Sequence, residues 1–444
     1  MCGGAEIAVQ RDVSTPVFDF AMNASRTDCI SVNFTLYPRA AVRSLLSPVM
    51  RCRRRATAGR RNRLVKATLA PERPRLLVIG GGFAGLGLIR DLADSFEITV
   101  VEPKDYFEFT PGILRGLCDG NHLKTIQVPL SDALQGLGVR HVRGRVTQLQ
   151  ARCALLENAD VDQVQFDYCV ITAGTACRKG CLWKSTGRPG EENHASLKSR
   201  CSELARLREE LRQASENKKP AVVVGGGLGG VELAAELRHY FPDLRVVLRA
   251  RGGVLPGLQG RGQRYAAQWL KTNGVEVTGE SPEEADGVVL DCTGVQVECQ
   301  FAKGLECLDE SGQVRVDKTM QVLTPCPEAF GRIFAAGDCV SVQGMPSYGK
   351  DAYPAEAMAE IVATNLENVL AANGGDCLLR ELGGLNQFLV CSLGPHDAVF
   401  CANGIMVMSG WPAAKVKEVI EVTKMQQVRG HVMGSTMWAL VPHF

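Results

Sequence analysis

Hydrophobic positions in this chain first fall into order at Arg75. A short apolar run, LLVIG, predicts a buried strand. It opens into glycines and then into LGLIRDLADSF, whose apolar residues recur at helical spacing. A further run, EITVVE, predicts a second strand. About 145 residues on, the same order returns as PAVVVGGGLGGVELAAELRHYFPDLRVVLR. Strand, glycine turn, helix and strand are thus used twice, and an internal repeat constrains the fold more than any single segment does.

Between the two units an alternating stretch, HVRGRVTQLQ, leads to a fully apolar strand ending in small residues, FDYCVITAGT; its counterpart after the second unit is ADGVVLDCTGV. Residues 195–218 predict an amphipathic helix laced with both charges, read as a solvated surface helix. GRIFAAGDCVSV predicts one more apolar strand, followed by a helix over PAEAMAEIVATNLENVLAAN. From about Cys377 the pattern is strand-like, NQFLVCSLGPHDAVFCANGIMVMSG, and then helical, AAKVKEVIEVTKMQQVRG.

Length and composition narrow this picture. At 444 residues the chain exceeds what one core supports, so two or three domains are expected. With 45% hydrophobic and 22% charged residues, and no apolar run near the ~18 residues of a membrane span, a transmembrane helix is not expected. Residues 1–70 hold twelve Lys and Arg against four Asp and Glu. The stretch from Arg39 to Lys66 contains no acid at all, and it reads as an organelle transit peptide, for mitochondrion or plastid. Asp12, Asp19 and Asp28 run against that reading, and the plainer one is a disordered basic tail that touches anionic lipid or nucleic acid, on a protein that would then be cytoplasmic. The seventeen cysteines follow no disulfide spacing and read as reduced, mostly buried thiols. Cys177 and Cys181 are a close pair without a partner pair, and the seven histidines show no zinc spacing, so no metal is expected.

The chemistry lies in the turns. Gly80, Gly82 and Gly85, with Phe83 and Ala84 between them, form GxGxxG directly after a strand and at the start of a helix. The first glycine permits the tight turn, the second lets backbone approach a pyrophosphate, and the third lets helix and strand pack closely. N–H groups of the opening helix then face the phosphates. Glu102 ends the second strand, where a carboxylate accepts from ribose hydroxyls. In the second unit Gly225, Gly227 and Gly230 repeat the pattern around Leu228 and Gly229, but the acid is missing. Arg249 is read at its position, with Arg251 beside it; guanidinium groups suit a 2′-phosphate, so NADPH is expected over NADH. A third signal, IFAAGD, runs an apolar strand into Gly337 and Asp338, where an acid can bond a flavin's ribityl chain. Two dinucleotides with facing redox ends point to FAD and a nicotinamide cofactor.

In order and spacing, GGGFAG with Glu102, FDYCVITAG, GGGLGGVELAAEL and RIFAAGD resemble the two-dinucleotide-binding-domain flavoproteins, the pyridine nucleotide-disulfide oxidoreductase superfamily, over Arg75 to Asn373. The resemblance implies an α/β fold of two Rossmann-like domains, with the NAD(P)H domain (191–312) inserted into the FAD domain (71–190 and 313–375), and a small α+β region at 376–444. It adds Val146, Ala173 and Gly174 to the FAD set, Glu232 and Gly294 to the NAD(P)H set, and puts Lys350 and Tyr353 near the flavin ring. Disulfide reductases of the family carry CxxxxC after the first unit; here only Cys118 stands there, which excludes a redox disulfide at that place. DYFEFTPGILR and KDAYPAEAMAEIVATNL instead resemble the type II NADH dehydrogenase and AMID-type (apoptosis-inducing-factor-like, ferroptosis-suppressing) branch. Electrons would then pass from NAD(P)H through FAD to a quinone or another small acceptor. Two alternatives stay open: a sulfide:quinone oxidoreductase using Cys177, Cys181 or Cys339, and a slow-turnover FAD- and NAD(P)H-binding signalling protein. No nucleic-acid partner is expected. The C-terminal helix admits a peripheral membrane contact or a homodimer contact.

Overall fold

The computed structural model describes residues 73–177, 196–258, 260–280, 287–347 and 350–439. The basic leader and Cys181 lie outside the described residues.

Two parallel sheets organise the chain, and each is built around one of the two apolar runs. The first is centred on β1 (Arg75–Ile79), followed by α1 (Phe83–Leu92), β2 (Glu97–Val101), the short helix α2 (Ile113–Cys118), β3 (Arg140–Val142) and β4 (Tyr168–Ile171). After α3 (Leu197–Glu216) the second sheet follows as β5 (Ala221–Val224), α4 (Leu228–Tyr240), β6 (Val246–Arg249), α5 (Arg261–Thr272), β7 (Glu276–Thr278) and β8 (Val288–Asp291). The chain then returns as β9 (Ile333–Ala335) to pair with β4. The sheet orders are β9-β4-β1-β2-β3 and β7-β6-β5-β8, with every neighbour parallel. Apart from the added β9 they are the same doubly wound arrangement: the repeat seen in the sequence is a repeat of topology. Leu77, Val78, Val100, Val170 and Ile171 are fully buried, as strands covered on both faces require.

Out of each sheet the chain crosses between units by two very short strands, Ala176–Cys177 and Val295–Gln296, paired antiparallel. The alternating segment forms a three-stranded antiparallel sheet, Arg145–Leu149, Cys153–Glu157 and Gln163–Gln165. A long helix, α6 (Ala352–Ala372), packs along α1. The C-terminal region is an antiparallel sheet, β10 (Phe388–Ser392), β11 (Ala398–Ala402) and β12 (Ile405–Ser409), backed by α5 and by α7 (Trp411–Val428). The sequence pattern runs on past α7 as a tail, whereas the structure folds it back as α8 (Val432–Ala439). Gly434 makes this possible, because a Cβ there would come within 2.7 Å of Thr423 O.

The charge-laced helix departs from its solvated reading. In α3, Leu204, Leu207, Leu211 and Ala214 are buried, and Arg200 is 0% exposed. Arg200 Nε and Nη2 each lie 3.2 Å from the Glu108 carboxylate, which also accepts from Gln127 Nε2 at 2.8 Å. Burial is the largest single influence and pulls the guanidinium's pKa down; the charge and hydrogen bonds of Glu108, joined by Tyr106 and Glu203, together outweigh it and the pKa rises. A buried stripe this narrow is swamped by charge on the other faces, so the sequence pattern alone looks solvated. Arg200→Met would leave Glu108 buried and unpaired. A loss of about 3–5 kcal/mol in urea unfolding is expected, smaller when Glu108 is made apolar as well.

Candidate dinucleotide sites

The first glycine turn sits where β1 ends. Gly80 has φ +109°, and a Cβ on it would lie 2.8 Å from the carbonyl carbon of Thr172, at the end of neighbouring β4. Glycine is therefore required twice over, by conformation and by close approach. Gly85 would overlap Gly80 O if it carried a side chain. Gly82 differs: its φ is −81° and no atom stands within 4 Å of its missing Cβ. The first bond inside α1 is Leu86 N–H to Gly82 O, so the N–H groups of Phe83, Ala84 and Gly85 point out of the helix end beside this bare surface. Glu102 is buried, with one oxygen accepting Gly81 N–H at 2.7 Å and the other Lys104 N–H at 3.1 Å, which fixes the carboxylate against the turn.

Across the crevice, Thr172 Oγ1 donates to Gly80 O at 2.9 Å, and Ala173 and Gly174 follow, Gly174 with φ +69°. Gly337 (φ +89°) would place a Cβ 3.5 Å from Ala84, so the turn after β9 lies against the start of α1. Thr175 Oγ1 donates to Asp338 Oδ2 at 3.1 Å. Gly82, Glu102, Ala173, Gly174 and Asp338 thus rim one crevice at the carboxyl ends of β1, β2, β4 and β9, where the strand order reverses. Val146 has its side chain in the core, leaving only its backbone to face a ligand.

The second turn repeats this geometry. Gly225 has φ +119° against Cys292 O, Gly230 would overlap Gly225 O, and Gly227 (φ −73°) again faces open space. Gly229 is open as well, beside Leu228 in the first turn of α4, and Gly294 has φ +66°. The register corrects the position of the missing acid. Gly80 N–H bonds Val101 O and Gly225 N–H bonds Arg249 O, so Arg249 matches Val101 and the counterpart of Glu102 is Ala250. The Ala250 Cβ faces Gly226 as the Glu102 side chain faces Gly81. Successive residues of a strand point to opposite faces, so Arg249 turns away, and its Nε is buried without a partner. Arg251, one residue past Ala250, is exposed.

Three further expectations shift. The Glu232 carboxylate points away from the glycine turn into the C-terminal region, where it accepts Ser392 N–H at 2.7 Å and Lys417 Nζ at 2.5 Å. Lys350 lines a pocket of about 80 Å³ with Gly337, Asp338, Pro354 and Met358, but Tyr353 does not; it stacks edge-on with Phe388, ring centres 5.3 Å apart. Cys339 is 0% exposed, its sulfur against Ala336 O and Ile171 O, so no sulfide can reach it in this conformation. Sequence reasoning missed Lys417 and also Arg115, which reaches from α2 to Glu236 on α4 (2.9 Å) and to Gly394 O (3.3 Å). No local signal marks either residue, because their partners lie far along the chain. Among the described residues there is no group of three His, Cys, Asp or Glu suited to a metal, and no helix long and apolar enough to cross a membrane.

Comparison with known proteins gives this geometry a setting. Residues 74–288 match the family described as pyridine nucleotide-disulphide oxidoreductase. Ferroptosis suppressor protein 1 of Xenopus tropicalis is 27% identical over 75% of this chain and 90% of its own. The type II NADH:quinone oxidoreductase of Staphylococcus saprophyticus is 23% identical over 82% of this chain and 98% of its own. Among solved structures, NDH2 from Plasmodium falciparum in complex with NADH superposes with a TM-score of 0.64 at 14% identity, covering 84% of this chain and all of that one (100%).

The open space at the middle glycines gives a clean test. Gly82→Ala and Gly227→Ala put a methyl where no protein atom stands, so thermal midpoints should stay within about 2 °C of the parent while dinucleotide binding is lost. Gly85→Ala should instead lower stability by about 2 kcal/mol or more through overlap with Gly80 O.

Proposed function

Because the chain belongs to the pyridine nucleotide-disulphide oxidoreductase superfamily, we propose that it is an FAD-dependent oxidoreductase taking hydride from NAD(P)H, NADPH in preference to NADH, and reducing a quinone. The observation that carries this reading is the pair of parallel sheets of one strand order, each ending in a glycine turn whose middle glycine faces open space.

The residues present fit FAD at the first turn. N–H groups at the start of α1 would meet the pyrophosphate, Glu102 the ribose hydroxyls, and Asp338, anchored by Thr175, the ribityl chain. Ala173 and Gly174 offer backbone to the same ligand. Bound there, FAD would supply the two-electron chemistry between nicotinamide and acceptor. The protein contributes position and charge: Lys350 and the N-terminus of α6 bring positive potential to the pocket shared with Asp338. The FAD unit is assigned 71–190 and 313–375, the nucleotide unit 191–312.

For the nucleotide, Ala250 removes the carboxylate that would repel a 2′-phosphate, and Arg251 stands beside it on the exposed side. For the acceptor, Tyr353, Phe388 and Phe400 form an aromatic shelf between the start of α6 and the C-terminal sheet, with ring centres at 5.3 and 6.2 Å. Phe388 remains 44% exposed, a surface that suits a flat apolar ring. A peripheral membrane site would keep such an acceptor near. Val432, Met433 and Met437 of α8, with Trp411, Val419 and Val422 of α7, are exposed and apolar. The lysines of α7 contribute less than their number implies, since Lys417 is half-buried against Glu232 and Lys424 is buried against Glu356. The basic leader is proposed as a transit peptide.

Purified protein should show a flavin spectrum, bleach with NADPH faster than with NADH, and recover its colour on adding a soluble quinone; absence of bound flavin would end this reading. Arg251→Ala should raise KM for NADPH about tenfold and leave that for NADH nearly unchanged. Ala250→Glu should move the preference to NADH. In vesicle flotation the parent should rise with lipid while Val432→Asp with Met433→Asp stays below; equal flotation would remove the membrane role from α8.

A further inference from the structure

The helix that carries the second glycine turn is fastened at two points. On α4, Glu232 and Glu236 stand four residues apart, so they share a face and lie about 6 Å apart along the axis. Both are buried, at 5% and 2% exposure. Glu232 accepts Ser392 N–H and Lys417 Nζ, from β10 and α7 of the C-terminal region. Glu236 takes Arg115 instead: Nε at 3.0 Å and Nη2 at 2.9 Å both donate to its Oε1.

Arg115 belongs to the first unit. It sits in α2, whose Ile113, Leu114 and Leu117 are buried, and two of the final carbonyls of that helix, Gly116 O and Leu117 O, accept from Arg208 Nη1 of α3 at 3.0 and 3.3 Å. Arg115 Nη2 also donates to Gly394 O, just after β10, at 3.3 Å. One guanidinium therefore touches the first unit, the helix of the second glycine turn and the C-terminal region. The remaining oxygen of Glu236, Oε2, is buried with no hydrogen-bond partner, so the contact with Arg115 is what compensates this carboxylate among the described residues. Apolar packing is non-directional, whereas a charge-assisted hydrogen bond fixes distance and angle. Sliding or turning α4 would strip a buried charge of its compensation, which apolar contacts alone would not penalise so sharply.

What lies at the two ends of this contact gives it a consequence. Glu236 stands nine residues past Gly227, about 13 Å down one helix from the turn where the nicotinamide nucleotide would sit. Arg115 is fixed in the unit whose turn would hold FAD. Hydride passes between two such ligands only when the reacting atoms stand about 3–3.5 Å apart and aligned, and a misplacement of about 1 Å can cost a hundredfold in rate.

We propose that Arg115 and Glu236 are positioning residues for hydride transfer: their contact sets where α4, and so the nicotinamide, stands against the flavin unit. This rests on the FAD and NAD(P)H reading above. The step so positioned moves one hydride, two electrons with a proton, from NADPH to oxidised flavin and leaves NADP⁺. In this role the pair gives up neither proton nor electron; it acts on distance and angle.

Full-length protein with its flavin is compared with Arg115→Lys, Glu236→Ala, Glu236→Gln, and the double variant Arg115→Met with Glu236→Met, which leaves neither charge bare. Bound flavin, NADP⁺ affinity, anaerobic flavin bleaching at saturating NADPH, and amide hydrogen exchange along α4 are measured. In the double variant flavin content and NADP⁺ affinity should stay within about twofold of the parent, while bleaching slows about 10–100-fold. Exchange should rise in α4 and around Gly394 and stay unchanged in β1 and β5. Arg115→Lys keeps the charge without the planar fork and should fall between. Glu236→Gln keeps an accepting oxygen and should recover most of the rate lost in Glu236→Ala. Bleaching at the parent's rate in the double variant overturns the proposal, and in Arg115→Lys it does so where the double variant does not fold. Slowing matched by an equal loss of flavin or NADP⁺ affinity overturns it too, since the pair is then a plain structural contact. A parent chain whose flavin neither nicotinamide bleaches overturns the underlying reading and this role with it; a parent that reacts, with variants that do not differ from it, overturns this role alone.

Discussion

The structure depends on how closely the carboxyl end of one parallel strand can approach its neighbour. At Gly80 the backbone turns with φ +109° directly against Thr172, and the Thr172 hydroxyl bonds Gly80 O. Any side chain at Gly80 would push β1 and β4 apart and close the crevice between them. The same approach recurs between Gly225 and Cys292. Both ligand surfaces are made by backbone that side chains have been kept away from, and the glycines further along each turn divide into those needed for packing and those that leave room.

Around those two crevices, charge does the joining. Arg115 links α2 to α4 and to Gly394; Lys417 links α7 to Glu232; Arg200 links α3 to the Glu108 segment. Each pair is partly or wholly buried and spans segments distant in sequence. A buried pair is worth little against an apolar substitute but is damaging when half removed. Such pairs fix the relative placement of the two sheets and the C-terminal sheet more than they add stability, and placement is what an electron path between two bound dinucleotides requires.

Thiols carry the second theme. Spacing along the chain treated the cysteines as scattered, and most of the described ones are buried. Cys339 is among them: set between the ends of β4 and β9, its thiol is 0% exposed and donates to Ile171 O and Ala336 O.

The sequence by itself determined the fold class, the repeated unit and the glycine turns. These follow from short-range facts: apolar runs of strand length, helical periodicity and glycine at fixed offsets, all written in neighbouring residues. It also placed Glu102 and Asp338 at strand ends, where the structure has them. Only the tertiary structure decided that Ala250 rather than Arg249 stands opposite Glu102, because register is set by hydrogen bonds between strands and a shift of one residue reverses the face. It likewise turned Glu232 toward Lys417, Tyr353 toward Phe388 and Arg200 into the core. Which way a side chain faces, and what meets it there, depends on residues far along the chain, and no local pattern records them.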